Sequence, residues 1–184
     1  REQVYTYLLD NYHDNHLYTD MDKLNLLEEN MAYDGDYKPF FQFIADSIYT
    51  FASQRDRQKG ESFVHGYTLA LTSLCCYYRP ISELDNQNGY ADVFLRPRCE
   101  IFTDMQHSYI IELKYLKSNA TDAEVKAAVK QAEAQVCRYA DTVNVNDNIG
   151  HTTLHKVYVV YSGVDMVACD EVHLLNNMSV MEQL

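Results

Sequence analysis

The side chains best suited to catalysis or metal binding lie in an apolar run at residues 108–116, Ser-Tyr-Ile-Ile-Glu-Leu-Lys-Tyr-Leu. This composition predicts a β-strand, and because side chains two apart on a strand share a face, Glu112 and Lys114 should stand side by side. Burying a carboxylate beside an ammonium group costs several kcal/mol of desolvation per ion. We therefore expect a metal ion or a substrate to compensate for that cost.

A second carboxylate lies upstream, in the run Tyr-Ala-Asp-Val-Phe-Leu at residues 90–95. Aspartate is disfavoured in strands, and pairing of the two strands would bring Asp92 beside Glu112. Two carboxylates and the backbone carbonyl of Leu113 would form a hard oxygen site suited to Mg²⁺ or Mn²⁺. Lys114 would then orient or help to deprotonate an attacking water, while the ion acts as a Lewis acid.

The elements around these residues predict an α/β fold. A helix begins at residue 61, and a second opens at 121 with the capping box Thr-Asp-Ala-Glu and runs to about 141. Residues 156–161 form the continuous apolar run of a strand buried on both faces, and 164–169 predict one more strand. The order helix, strand, strand, helix, strand, strand indicates a mixed central sheet flanked by helices.

The first part of the chain has a different pattern. Leu24, Leu27 and Met31 recur at helical spacing, and a second amphipathic helix follows with Pro39 in its first turn. We predict an all-helical connecting segment at residues 1–59 and an α/β domain at 60–184.

Composition and length narrow the functional class. The 184 residues are 47% hydrophobic and 23% charged, as in one soluble globular domain with a small helical annex. No apolar run approaches the roughly 20 residues of a membrane span, and no signal peptide is visible. Five cysteines without Cys-x-x-Cys spacing favour a reducing cytoplasm. Because the chain starts with Arg1 rather than Met, we expect it to be part of a longer protein.

The net charge of −12 argues against a protein whose whole surface binds nucleic acid, because phosphate binding relies on Lys and Arg. It does not exclude a local site. A nuclease that neutralises its substrate with a divalent metal needs a carboxylate cluster, which itself makes the charge more negative.

The arrangement of Asp92, then Glu112-Leu113-Lys114 in an apolar strand, then a helix with Gln131 and Gln135, resembles the PD-(D/E)xK nuclease superfamily. The resemblance implies a restriction-endonuclease-like fold in which the aspartate and glutamate bind Mg²⁺ or Mn²⁺ and the lysine assists the attacking water. The proline that often precedes the motif aspartate is absent, since the sequence reads Tyr-Ala-Asp.

Two further site residues are implied by the same resemblance. An acidic residue on the preceding helix often joins the metal site, and Glu61 is the candidate here. Gln135 to Tyr139 looks like the Gln-x-x-x-Tyr element of several branches. More narrowly, residues 60–161 look like the bacterial branch found at the carboxyl end of AAA-type ATPase-like proteins, which implies a covalently linked ATPase-like domain.

These residues support metal-dependent hydrolysis of phosphodiester bonds in nucleic acid, with DNA as the expected substrate. The rival interpretation is a catalytically inactive module of the nuclease fold that binds protein or nucleic acid. Retention of Asp92, Glu112 and Lys114 favours catalysis, because a bare scaffold requires none of them.

Each site residue also has a purely structural interpretation. Glu112 and Lys114 could be a half-exposed salt bridge on an edge strand, and Asp92 a turn residue. Glu61 could be a carboxylate that the helix dipole stabilises at the N-terminus of its helix. Gln135, like Gln131, could belong to a solvated helix face.

The histidines are interpreted mainly as structural. His65 lies one helical turn from Glu61 and could reach the same site, although a hydrogen-bonded helix histidine is the favoured interpretation. His13 with His16, and His151 with His155, have spacings that suit zinc but lack a third ligand, so we predict surface histidines.

Overall fold

The computed structural model describes residues 20–51, 60–74, 76–86, 89–140 and 143–172. Its helices and strands follow in the order α1 (Met21–Asp34), α2 (Lys38–Phe51), α3 (Glu61–Thr72), β1 (Tyr78–Asn86), β2 (Gly89–Pro97), β3 (His107–Leu116), α4 (Asp122–Ala140), α5 (Val143–Asn146), β4 (Thr153–Ser162) and β5 (Asp165–Glu171).

The five strands form one mixed sheet in the order β1-β2-β3-β4-β5. Neighbouring strands are antiparallel except for β3 and β4, which are parallel. Parallel neighbours need a long crossover connection, and α4 lies in this one. The predicted α/β fold with a mixed sheet, preceded by N-terminal helices, is confirmed.

One strand was not anticipated. β1 occupies an edge of the sheet and pairs with β2, so three strands rather than two separate α3 from α4. Its sequence, Tyr-Arg-Pro-Ile-Ser-Glu-Leu-Asp-Asn, contains a proline and several charged residues, which obscure a strand pattern. Proline is tolerated on an edge strand because a missing N–H interrupts no ladder on the open side.

The sheet buries different cores on its two faces. The larger core lies under α1, α2 and α3 and receives Tyr109, Ile111 and Leu113 from β3. The smaller core lies under α4, where Phe94 and Ile110 are fully buried. Because side chains alternate along a strand, Asp92 and Glu112 belong to the face that carries α4.

The described helices of the predicted connecting segment pack on the sheet. The Tyr109 hydroxyl donates a hydrogen bond to the Met31 carbonyl at 2.8 Å, and Lys38 contacts Asp170 of β5 at 3.1 Å. Aromatic side chains at the start of α2, Phe40 and Phe41, are fully buried in the larger core. The boundary between residues 59 and 60 stays a prediction, but α1 and α2 contribute to the same core as the sheet.

Local sequence signals account for the helix ends. α1 begins after Asp20, whose carboxylate accepts from the backbone N–H of Lys23 at 2.9 Å. The predicted capping box of α4 is confirmed, because Thr121 and Glu124 exchange hydrogen bonds between side chain and backbone.

No helix in the described part of the chain is both long and apolar enough to cross a membrane.

Candidate active site

The site forms where backbone pairing between β2 and β3 stops. The antiparallel ladder extends from Leu95 opposite Tyr109 to Val93 opposite Ile111. One residue further on, the Asp92 carboxylate accepts a hydrogen bond from the backbone N–H of Leu113 at 2.8 Å. The Asp92 side chain thus accepts from a backbone N–H of β3 where the strand ladder no longer does, and this bond fixes the aspartate beside β3.

Helix α3 holds the same residue from the other side. His65 Nε2 donates to the backbone carbonyl of Asp92 at 3.0 Å. α3 begins close to β3 because Gly60, with φ of 54°, lies against Tyr115, whose ring would be 2.8 Å from a Cβ at that position. Asp92 is therefore anchored through both its side chain and its backbone.

Glu112 and Lys114 stand side by side, as the strand alternation predicted. Lys114 Nζ donates to Glu112 Oε1 at 2.6 Å. The Glu112 side chain is 2% exposed and that of Lys114 is 19% exposed, so the carboxylate is buried while the lysine side chain is partly exposed. The second carboxylate oxygen, Oε2, is buried and has no hydrogen-bond partner among the described residues.

Burial changes the acidity of both carboxyl groups. Desolvation raises the pKa of Glu112 to about 7; the Lys114 hydrogen bond opposes that rise and the Asp92 charge adds to it. Desolvation also raises the pKa of Asp92, against the lowering effects of the Leu113 N–H, Lys114 and His65. A cation would favour the ionised form of both groups, so the orphaned oxygen and the raised pKa values suit a hard divalent metal.

The other candidates lie around this centre. Gln135 on α4 is half-buried, and its Oε1 has no hydrogen-bond partner among the residues that the structure describes. Gln131, one turn earlier, is exposed. Glu61 is exposed in the first turn of α3, and its charge contributes to the raised pKa of Asp92. Within the described ranges no three His, Cys, Asp or Glu side chains are arranged to hold a metal ion. Asp92 thus lies near the Glu112–Lys114 pair, and among the described residues Glu61 does not complete a three-ligand metal group with the two carboxylates.

Sequence reasoning missed one charged neighbour of the site. Arg138 lies three residues after Gln135 on α4, and its positive charge lowers the pKa of Glu112. Residues three or four apart share a helix face, so the spacing from Gln135 could have identified it.

The prediction of surface histidines is wrong for His155 and agrees with the structure for His151. His155 is not a surface histidine: its side chain is 15% exposed, and it bonds His107 at 2.8 Å and Glu171 at 3.0 Å. The burial of His155 was not predicted because its partners lie on neighbouring strands and are distant in sequence. His151 is exposed and donates to the Met105 carbonyl at 2.9 Å. The predictions for residues 13 and 16 lie outside the described residues.

Comparison with known proteins adds independent evidence. The model of the PD-(D/E)XK nuclease superfamily matches residues 59–171, which is more than half of the chain. No curated protein and no solved structure matches the sequence. The match spans the elements from α3 to β5 and thus every candidate site residue. The chain belongs to the PD-(D/E)XK nuclease superfamily.

Proposed function

We propose that this chain hydrolyses phosphodiester bonds of nucleic acid with the help of Mg²⁺ or Mn²⁺. The observation that carries the proposal is the buried Glu112 carboxylate, which has one oxygen bonded to Lys114 and the other without a hydrogen-bond partner in the described part of the chain. Buried polar atoms in native proteins are nearly always satisfied, so this carboxylate oxygen beside Asp92 is suited to bind a cation. The superfamily typically uses divalent metal, which supports the same ligand.

Asp92 and Glu112 would hold the cation, with Glu61 as a supporting carboxylate nearby. When bound, the ion supplies charge neutralisation and Lewis acidity at the phosphate under attack. Mg²⁺ is commonly bound through one or two carboxylates plus substrate phosphates rather than by a complete protein cage. Two anchored carboxylates, without a third His, Cys, Asp or Glu ligand among the described residues, are consistent with that mode.

Lys114 would orient the attacking water. Its ammonium is bonded to Glu112 and its side chain is partly exposed, and because an ammonium carries three N–H donors, two would be left for a water and a phosphate oxygen. The unpartnered Oε1 of Gln135 would accept from the same water or from Lys114. Together these groups would fix the nucleophile and stabilise the negative charge that develops during the reaction.

The finer features of the proposal derive from resemblance. DNA is the proposed substrate, and residues 60–161 resemble the branch at the carboxyl end of AAA-type ATPase-like proteins. We include in the proposal a covalently linked ATPase-like domain and a cytoplasmic location.

The decisive variant is Lys114→Ala, compared with Lys117→Ala as a control at an exposed lysine just beyond β3. Supercoiled plasmid, single-stranded DNA and RNA are each incubated with the protein and Mg²⁺ or Mn²⁺. We expect Lys114→Ala to lose at least about a hundredfold in cleavage rate, because positioned proton-transfer groups contribute on that order. Lys117→Ala should cleave like the wild type.

Metal titration and thermal unfolding of the same variants separate catalysis from folding. Lys114→Ala should retain metal binding, since the proposal gives the lysine no ligand role. Unchanged cleavage by Lys114→Ala would overturn the mechanism. A wild-type protein that binds metal and nucleic acid but cleaves none of the substrates would favour the inactive binding module.

A further inference from the structure

A polar stripe of α4 borders the candidate site. Gln131, Gln135 and Arg138 follow one another at spacings of four and three residues, which places them on one side of the helix. The buried stripe that packs on the sheet is formed by other residues, namely Ala128, Ala132, Val136, Tyr139 and Ala140. The polar stripe therefore lies at the rim of the packed face, with Gln135 directed inward and Arg138 exposed.

The guanidinium of Arg138 is restrained by its own helix. Nε donates to the Ala134 carbonyl at 3.3 Å, and the guanidinium carbon lies 6.0 Å from the centroid of the Tyr139 ring. Among the described residues, the two terminal nitrogens have neither a hydrogen-bond acceptor nor a carboxylate partner. Such a planar fork, held in place at Nε, matches the geometry of a phosphate group.

The negative net charge of the chain gives weight to an exposed cation such as Arg138 near the candidate site. With a net charge of −12, the chain as a whole repels nucleic acid, so binding would rely on local cations near the carboxylates. Lys114 is already bonded to Glu112, whereas Arg138 is close enough for its charge to act on Glu112 and forms no ion pair within the described residues.

We propose that Arg138 binds a backbone phosphate of the nucleic acid next to the phosphate that is cleaved. The inference rests on the proposed function and extends it, because it assigns the polar stripe of α4 as the wall of the site that contacts substrate. The contact is to the sugar–phosphate backbone, so it carries affinity without sequence preference.

The test compares Arg138→Ala, Arg138→Lys and Lys126→Ala. Lys126 is an exposed cation of the same helix that lies nine residues, or two and a half turns, from Gln135 and so on the opposite side. Each substitution is made in the Lys114→Ala background to prevent cleavage. Binding of a fluorescein-labelled DNA duplex and of the matching single strand is measured by fluorescence anisotropy at several salt concentrations with Mg²⁺ present.

Arg138→Ala should weaken binding by about tenfold and reduce the slope of log Kd against log salt by about one, because one phosphate contact is lost. Arg138→Lys should keep the salt slope but bind less tightly than arginine, since it retains the charge without the fork. Lys126→Ala should behave like the background protein. In the cleavage-competent protein, Arg138→Ala should raise KM more than it lowers kcat.

Equal binding by Arg138→Ala and Lys126→Ala, in a protein that cleaves nucleic acid, would overturn this inference and leave the proposed function standing. A lower unfolding temperature without any change in KM or salt slope would also overturn it, since that result shows a helix-end role only. A wild-type protein that neither binds nor cleaves nucleic acid would remove both the inference and the proposed function.

Discussion

Two clusters of ionisable side chains lie at different points along β3, and they differ in how completely their atoms are paired. At the start of the strand, His107 bonds His155 at 2.8 Å, and His155 bonds Glu171 at 3.0 Å. In its second half, Lys114 bonds one oxygen of Glu112 at 2.6 Å, beside Asp92.

In the histidine cluster, no buried side-chain atom lacks a hydrogen-bond partner within the described residues. The carboxylate cluster leaves Oε2 of Glu112 and Oε1 of the nearby Gln135 without one. A satisfied network stabilises the fold, whereas an unsatisfied buried carboxylate costs stability unless a ligand completes it. Both clusters are buried and ionisable, but only the carboxylate cluster combines unpaired oxygen atoms with two neighbouring carboxylates, which is the combination that suits a cation.

The largest expected effect comes from neutralising one carboxylate in each cluster. Asp92→Asn keeps an acceptor for the Leu113 N–H but removes a charge from the proposed metal site, so cleavage should fall by at least about a hundredfold. Glu171→Gln, a matched isosteric change in the satisfied cluster, should leave the cleavage rate within about twofold of the wild type. A plasmid-cleavage assay and thermal unfolding measure both variants, and equal loss of cleavage in the two would break the distinction.

The clusters should also respond to pH with opposite signs in metal-free buffer. Because the pKa of Glu112 is raised to about 7 from 4.5, the folded state retains a proton that the unfolded state releases, and stability falls as pH rises through that window. Burial and His155 lower the pKa of His107 below 6.5, against the raising effects of Asp34 and Glu171. Its contribution is fully present above pH 6.5 and is lost as pH falls toward the lowered value.

Thermal unfolding from pH 4 to pH 8, with EDTA present, separates the two contributions. Glu112→Gln should flatten the loss of stability between pH 4.5 and 7 and should unfold at a higher temperature than the wild type at pH 8. His107→Gln should instead reduce the loss of stability on the acidic side of pH 6.5. Identical curves for Glu112→Gln and the wild type would show that the carboxylate is not destabilised by burial.

The smallest expected effect concerns the anchoring of Asp92. His65→Ala removes a hydrogen bond to the backbone carbonyl and should weaken Mn²⁺ binding by about fivefold, the equivalent of about 1 kcal/mol for one net hydrogen bond. His65→Gln retains an N–H donor and should recover part of the affinity. Mn²⁺ titrations followed by electron paramagnetic resonance measure this, and an unchanged affinity in His65→Ala would assign the contact to folding alone.

Local sequence rules predicted much of the molecule. The capping box set the start of α4, and strand alternation placed Glu112 beside Lys114 and turned Leu113 to the other face. These features depend on residues a few positions apart, which is why one sequence suffices.

Features that depend on tertiary pairing were not predictable. The bond between His107 and His155 joins side chains 48 residues apart across a parallel strand pair, whose register no local signal specifies. The contacts from Leu113 and His65 that fix Asp92 arise where the ladder between β2 and β3 stops. The sequence thus supplied the candidate site residues, whereas only the structure shows which of the two clusters has its buried polar atoms paired.

Whether the carboxylate cluster binds a divalent metal is tested most simply by a calorimetric titration. Mg²⁺ and Mn²⁺ are titrated into the wild type, Asp92→Ala, Glu112→Ala and His155→Ala. If the incomplete cluster is a divalent-metal site, binding will be present in the wild type and in His155→Ala and will vanish in the two carboxylate variants. Binding that persists in both carboxylate variants, or a wild-type protein that binds neither metal at millimolar concentration, would contradict the account.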